Sequence, residues 1–390
     1  MLQIHDPLAK QPNPPLFRLG FRPLFLFGSL FSILALTLWL GQLNGVIFLT
    51  PQGNVLWWHG HEMIFGFVAA IVAGFLLTAV QNWTGSPGLS GKPLVALFGL
   101  WLVPRILLLD NHWAPLPLVA AIDLAFLPAT AWVVGHAVYQ VKQWRNMVFV
   151  PILCTLTLLN AISYYGLLYG PDAIAHSALY AATLLIVLLI ALLGGRVIPF
   201  FTERATQWQR GANIPLLEGI TFGAILVLVL TMISQQPLLI RLAAAVGAAL
   251  LLIRQLRWGI RHCLPNPLLW SLHLSYLCIP TGLLLIAAGL PISAGFHLMA
   301  VGGVGGMILA MMARVSLGHT GRPLKAPAVM PYCFAFLLLG AGLRAMASIV
   351  PTFFQLGVLL AAIAWLLAFG GFCLVYARML CSPRADGKAG

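Results

Sequence analysis

Long apolar runs dominate this sequence and leave few choices of fold. Between polar or Pro/Gly breaks, twelve of them run approximately Leu24–Leu43, His61–Val80, Leu94–Leu109, Leu116–Val138, Met147–Tyr169, His176–Ile198, Leu217–Ser234, Leu238–Leu256, Leu268–Leu290, Ile292–Val315, Ala328–Val350 and Phe353–Arg378. A helix needs roughly 20 apolar residues to cross the ~30 Å hydrocarbon layer, where its backbone groups must bond within the segment. Strands of a membrane barrel would instead alternate in segments of about ten residues. The pattern therefore predicts an all-α polytopic membrane protein of about twelve transmembrane helices. Only 7% of the residues are charged and 61% are hydrophobic, against about 25% charged in soluble domains. A soluble globular fold and intrinsic disorder are both excluded on that ground.

The few charges are lopsided, 21 Lys and Arg against 8 Asp and Glu. In a soluble protein this would point to nucleic acid. Here all but Arg105, Arg241 and Arg344 fall before the first run or around the breaks that follow every second run, from Lys10, Arg18 and Arg22 to Arg378, Arg384 and Lys388. Alternation of that kind is the positive-inside pattern, and it places both termini in the cytoplasm. Nucleic acid is then not an expected partner; the lipid bilayer is. The polar lead Met1–Phe17 is followed by an apolar run without an A-x-A cleavage pattern, which reads as a retained first helix. Thr202–Pro215 is the longest polar break, a linker between two six-helix halves of one integral membrane domain spanning 1–390. Six cysteines form no C-x-x-C pair, so a zinc ribbon, a thioredoxin-like site and covalent c-type haem are not expected.

Arg105 and Arg344 fall late in the third and eleventh runs, at membrane depth. A charge there costs at least ~2.5–3.5 kcal/mol on insertion scales and calls for a partner. Two readings are open. One is a structural Arg–Asp pair, with Asp123 at similar depth; the other is recognition of an anionic group such as a haem propionate.

Topology sorts the ten histidines. His59, His61, His112, His176 and His297 fall at the outer edge. His136, His262, His273 and His319 fall at or near the inner edge, and His5 in the N-terminal tail. His61, His176 and His297 begin three different runs, so three imidazoles could converge on one layer, and imidazole suits both haem iron and copper. Within Trp57-Trp58-His59-Gly60-His61-Glu62-Met63, His59 and His61 are about 200° apart on a helix, so two roles are expected rather than one chelate. His59, Glu62 and Met63 share a helical face, which makes Glu62 a candidate for proton chemistry. The alternative for the whole segment is a set of interfacial polar residues that bond loop backbone. His319 could serve only a separate inner site. The glycines at 302, 303, 305 and 306 allow either close helix packing or room for a flat macrocycle below His297. Met307, Met311 and Met312 read as core filler.

These segments together resemble the NnrS family over nearly the whole chain. The resemblance is carried by Phe21-Arg22-Pro23, W-H-G-H-E-M-I-F-G-F at Trp58–Phe67 and A-G-F-L-L-T-A-V-Q-N-W-T-G at Ala73–Gly85. It continues with D-L-A-F-L-P at Asp123–Pro128, G-G-R-V-I-P-F-F-T at Gly194–Thr202, H-L-M-A-V-G-G-V-G-G-M at His297–Met307 and M-A-R-V-S-L-G-H-T-G-R-P at Met312–Pro323. Gln81 stands where the family often has Pro. The resemblance implies a multi-pass protein of the bacterial inner membrane that contains haem b and copper. It also implies a link to nitric oxide metabolism, protection from nitrosative stress and denitrification, an electron donor of unknown identity, and, if the protein is an enzyme, an NO-linked oxidoreductase. A shorter segment, His59-Gly-x-x-Met63-Ile-Phe65, looks like the second helix of haem–copper oxidase subunit one. That likeness implies His59 and His297 as axial haem ligands, His61 and His176 as copper ligands, and Arg105 or Arg344 at the propionates. Helix 7 here lacks the paired histidines of the oxidase copper site. Two other functions remain open: a secondary transporter, which would suit the helix count and the linker, and an accessory protein that sequesters metal or delivers it to a reductase.

Overall fold

A computed structural model describes residues 13–234 and 236–388; His5 and Lys10 lie outside them. Among the described residues the regular structure is helical, apart from one isolated bridge between Thr50 and Asp110. The long helices are α1 (Phe21–Leu43), α2 (Val55–Thr84), α3 (Lys92–Leu107), α4 (Leu116–Gln140), α5 (Phe149–Tyr169) and α6 (Asp172–Ala205). After the linker come α7 (Pro215–Ser234), α8 (Pro237–Leu256), α9 (Pro267–Ala287), α10 (Ile292–His319), α11 (Met330–Ile349) and α12 (Phe354–Cys381).

Eleven of these are long and apolar enough to cross a membrane. The exception is α3, for which the sequence predicts a full span over Leu94–Leu109. Its 16 residues make a helix of about 24 Å, short of the ~30 Å core. The apolar run itself is no longer than this helix, and in the last turn Pro104 is followed by Arg105, only 2% exposed and turned inward to carboxylates of α2 and α4. Short as it is, α3 joins the two ends of the bundle. Gly91 N–H, just before it, bonds Phe17 O ahead of α1, and Leu108 O, just after it, accepts from Gln52 N–H beyond the far end of α1.

The start of α1 and the end of α12 lie on one face. Arg22, fully buried, donates through Nη1 to Leu380 O at 2.9 Å and to Ser382 O at 2.7 Å. Asn54 caps α2 by accepting from Trp57 N–H at 2.8 Å, and Gly85, with φ of 68°, ends it in the left-handed conformation that glycine adopts without strain. α2 and α10 are the most enclosed helices, with 72% of each most apolar stretch buried, against 22% and 28% for α7 and α8. A helix apolar all round that is also enclosed by protein belongs to the bundle core; α7 and α8 offer most of their surface to lipid.

The two central helices share a second feature. Each contains a π-helical stretch, Glu62–Val68 in α2 and Leu298–Gly305 in α10. Such wide turns are rare and concentrate at functional sites. In α10 the glycines serve close packing. A Cβ on Gly302 would come within 2.6 Å of Cys278 Sγ, on Gly303 within 2.6 Å of Ile279, on Gly305 within 2.8 Å of Trp365 and on Gly306 within 2.3 Å of Ser275 Oγ. The glycine face below His297 is thus packed against α9 and α12.

Candidate functional site

A cavity of about 430 Å³ opens between α1, α2, α6, α10, α11 and α12, within the size range of small-molecule and cofactor sites. Leu36, Phe67, Val301, Val304 and Trp365 give it largely apolar walls. His59, His176 and His297 stand on three separate helices of its wall, and Arg344 comes from a fourth.

The π-turn of α2 decides which of its side chains reach the cavity. His59, Met63 and Phe67 line it, as do Gly60, Ile64 and Val68. In an α-helix each four-residue step drifts by about 40°; the wider turn absorbs that drift and keeps both rows on one face. Glu62 and Gly66 are carried to the back, towards α3. This corrects the α-helical expectation that His59, Glu62 and Met63 share a face: Met63 stays with His59, and Glu62 does not line the cavity.

His297 is held from behind. Its Nδ1 lies 2.8 Å from Ser293 O and 3.1 Å from Ser293 Oγ. A proton on Nδ1 satisfies both acceptors and leaves Nε2 as a bare lone pair, the arrangement usual for a metal-ligating histidine. The hydroxyl chain continues from Ser293 Oγ to Ser348 Oγ at 3.2 Å, and Arg344 Nη1 donates to Ser348 Oγ at 2.6 Å. Arg344 has no carboxylate partner among the described residues. The His59 ring stacks on Trp39, with centroids 4.3 Å apart and planes at 24°. Its Nδ1 is buried and bonds no protein atom.

Behind α2 lies a buried polar cluster. Arg105 Nη1 donates to Glu62 Oε1 at 2.9 Å and Nη2 to Asp123 Oδ1. Asp123 Oδ2 accepts from Asn160 Nδ2 at 2.8 Å and from Tyr164 OH at 3.2 Å. His61 Nδ1 is 2.8 Å from Glu62 Oε1, and Nε2 is 3.0 Å from Asn160 Oδ1 and 3.3 Å from Asp123 Oδ2. The Asn160 amide cannot flip without setting its carbonyl against the Asp123 carboxylate, so both ring nitrogens of His61 face acceptors. Neither offers a lone pair to a metal. Gly66 makes room for the cluster, since a Cβ there would lie 2.5 Å from the Phe31 ring and 2.8 Å from Arg105 Nη1. Gly66→Ala is accordingly expected to lower stability by about 1–3 kcal/mol, the usual cost of overpacking. Thermal unfolding in detergent measures it, and an unchanged midpoint would refute the fit.

The residues that build these features belong to one long match. The NnrS family, described as NnrS protein, matches residues 15–384. The chain belongs to the NnrS family. No curated protein sequence matches it. In this NnrS chain the W-H-G-H-E-M-I-F-G-F segment is the π-turn of α2 with its two histidines, D-L-A-F-L-P supplies Asp123, and H-L-M-A-V-G-G-V-G-G-M is the glycine-packed turn below His297.

Of the residues singled out from sequence, the fold brings His59, His176, His297 and Arg344 to one cavity. It gathers His61, Glu62 and Arg105 into the cluster behind it. His319 is at the other end of α10, with its ring 5.7 Å from that of Phe21 and its carbonyl accepting from Arg384 Nη1. Trp39, Tyr180, Ser293 and Ser348 were not singled out. Nothing in the sequence marks Trp39, but Ser293 precedes His297 by one helical turn, a spacing that places a hydroxyl beside the ring. Asn160, a lone amide in an apolar run, was a legible signal of a buried polar partner.

These residues suit a haem in three respects. The walls are apolar, two imidazoles stand on different helices, and the one unpaired guanidinium among them can meet an acidic substituent. The unmet Nδ1 of His59 adds a buried polar atom whose demand the protein leaves open. Copper is different. Among the described residues no three His, Cys, Asp or Glu side chains could hold one ion, and His176 is the remaining imidazole of the cavity wall.

Proposed function

We propose that this protein binds haem b in the cavity, where His59 and His297 would hold it and Arg344 would meet one of its carboxylates, and that it binds or transforms nitric oxide there. One observation carries the reading: two histidines from the two π-turned central helices line a single apolar cavity together with an arginine that has no carboxylate partner. The haem would supply an iron that changes oxidation state and takes up nitric oxide where one of the two histidines yields its place. The chain supplies the rest. His297 is aimed by Ser293, His59 is fixed against Trp39, and the apolar walls exclude water from around them.

Membership of the NnrS family supports the link to nitric oxide, and with it a role in protection from nitrosative stress. The family's association with copper enters without a ligand set. Bacterial inner-membrane placement, with both termini inside, is supported by the basic residues Arg18, Arg22, Arg322 and Arg384 gathered where α1 starts and α12 ends. The histidine-lined cavity then belongs to the outer half of the membrane, where an uncharged diatomic arrives through lipid without a polar channel.

Purified protein is expected to carry a Soret band and iron near stoichiometry, with the band shifting when nitric oxide is added. Colourless, iron-free protein that retains full protection of cells against nitrosative stress would sink the proposal. Haem-independent solute flux in proteoliposomes would favour a transporter instead.

A further inference from the structure

We infer that α3 is a clamp that sets the rotation of His59: Arg105 and Trp101 are positioning residues for this ligand, acting through the π-turn of α2. The inference rests on the haem reading above.

No residue of α3 lines the cavity, yet its buried polar groups are directed at the back of the turn that does. Trp101 Nε1 donates to Gly66 O at 2.8 Å. Arg105 Nη1 donates to Glu62 Oε1 at 2.9 Å, and Nη2 anchors the guanidinium to Asp123 of α4. A π-turn replaces i→i−4 bonds with i→i−5 ones, as from Ala69 N–H to Ile64 O, and a donor from another helix adds to that ladder. Trp101 supplies one for Gly66. Arg105 pins the carboxylate one turn earlier.

The consequence for His59 is geometric. The π-turn amounts to an extra residue accommodated within the helix. Were the turn α-helical, His59 would stand about 80° round the helix from Phe67. His59 would leave the wall it shares with Met63 and Phe67. His297 is anchored across helices, because Ser293, which holds its ring, also bonds Ser348 of α11. His59 has no such partner on Nδ1 and is aimed by its helix and by the stack on Trp39. The cluster of Glu62, Arg105 and Asp123 therefore has a use beyond stability: it fixes the direction of a ligand it never touches.

The test uses full-length protein in detergent, with haem titrated into haem-free samples and the coordination state followed by optical and electron paramagnetic resonance spectra. Trp101→Phe removes one donor and keeps the ring; Arg105→Lys keeps the charge and loses the fork. Each is expected to weaken haem binding by roughly 10–100-fold, the range seen when a ligand's supporting partner is lost, and to give a signal of haem held by one axial histidine. In a His59→Ala background Trp101→Phe is expected to have no further effect, since a clamp without its ligand has nothing to position. Arg254→Lys, at an arginine 1% exposed that pairs with Glu218 away from the cavity, is expected to leave the spectrum unchanged. Folded Trp101→Phe protein with wild-type spectrum and less than twofold change in affinity would overturn the inference. An equal loss in the His59→Ala background would do the same. Wild-type protein that takes up no haem would overturn the underlying reading, a result distinct from either.

Discussion

Replacing Asp123 by alanine is expected to cost the fold about 3–5 kcal/mol, the range for removing one partner of a buried ion pair. Asp123 is 7% exposed and faces four groups at once: Arg105, Asn160, Tyr164 and, at 3.3 Å, His61. Its loss leaves Arg105 sharing a single carboxylate in a place where water cannot reach. Arg105 Nε already has no hydrogen-bond partner, so the guanidinium has little left to draw on. The donors of Asn160 and Tyr164 are orphaned in the same step. Asp123→Asn should be milder, because it keeps the volume and one acceptor while removing the charge. A surface pair makes the contrast: Arg384 and Asp386 bond at 2.6 Å near the end of the described chain, both partly exposed to water, and breaking such a pair changes stability little. Unfolding in a fixed detergent, by temperature or denaturant, measures both Asp123 variants. A loss below about 1 kcal/mol for Asp123→Ala would mean that water or lipid headgroups reach the cluster, and the inward turn of α3 would need another cause.

The sequence displays what the membrane demands of every segment and hides what one segment demands of another. Long apolar runs were legible because length and apolarity are local properties, and α2, α10 and α12 follow from them directly. The run behind α3, Leu94–Leu109, is itself no longer than the 16-residue helix, so its shortness was present in the sequence, but the inward turn of Arg105 was not. Glu62 and Asp123 on two other helices meet Arg105 in that last turn. The possibility of an Arg–Asp pair was readable from depth alone, but not the second carboxylate. α-Helical periodicity puts Glu62 on the face of His59, and a π-turn leaves no mark on composition; Gly66 marks instead the room that Phe31 and Arg105 take behind it. The glycines of α10 announced a close approach without saying to what; Cys278, Ile279, Trp365 and Ser275 answer that from other helices. The same holds for Trp39 under His59, since a stacking partner on α1 has no signature in α2.

His297→Ala is expected to reduce haem affinity by at least about 10–100-fold, the loss already typical when only a ligand's supporting partner is removed. His59→Ala is expected to do the same through the other axial position, each leaving a spectrum of haem held by one histidine. The two should differ in rescue. External imidazole must fill the space the side chain vacated. At His297 it would find Ser293 O and Oγ still in place to accept its N–H. At His59 it would find the Trp39 face but no hydrogen-bond partner for the second nitrogen. Recovery of the wild-type spectrum is therefore expected at lower imidazole concentration for His297→Ala. His61→Ala separates ligation from folding. Both His61 nitrogens are committed to Glu62, Asn160 and Asp123, so that variant should lose stability while any folded fraction keeps the two-histidine spectrum. His262→Ala, at an exposed position on the opposite face, should change neither. Should His61→Ala lose the spectrum without losing stability, and His297→Ala keep it, the ligand would lie in the cluster behind α2 rather than in the cavity.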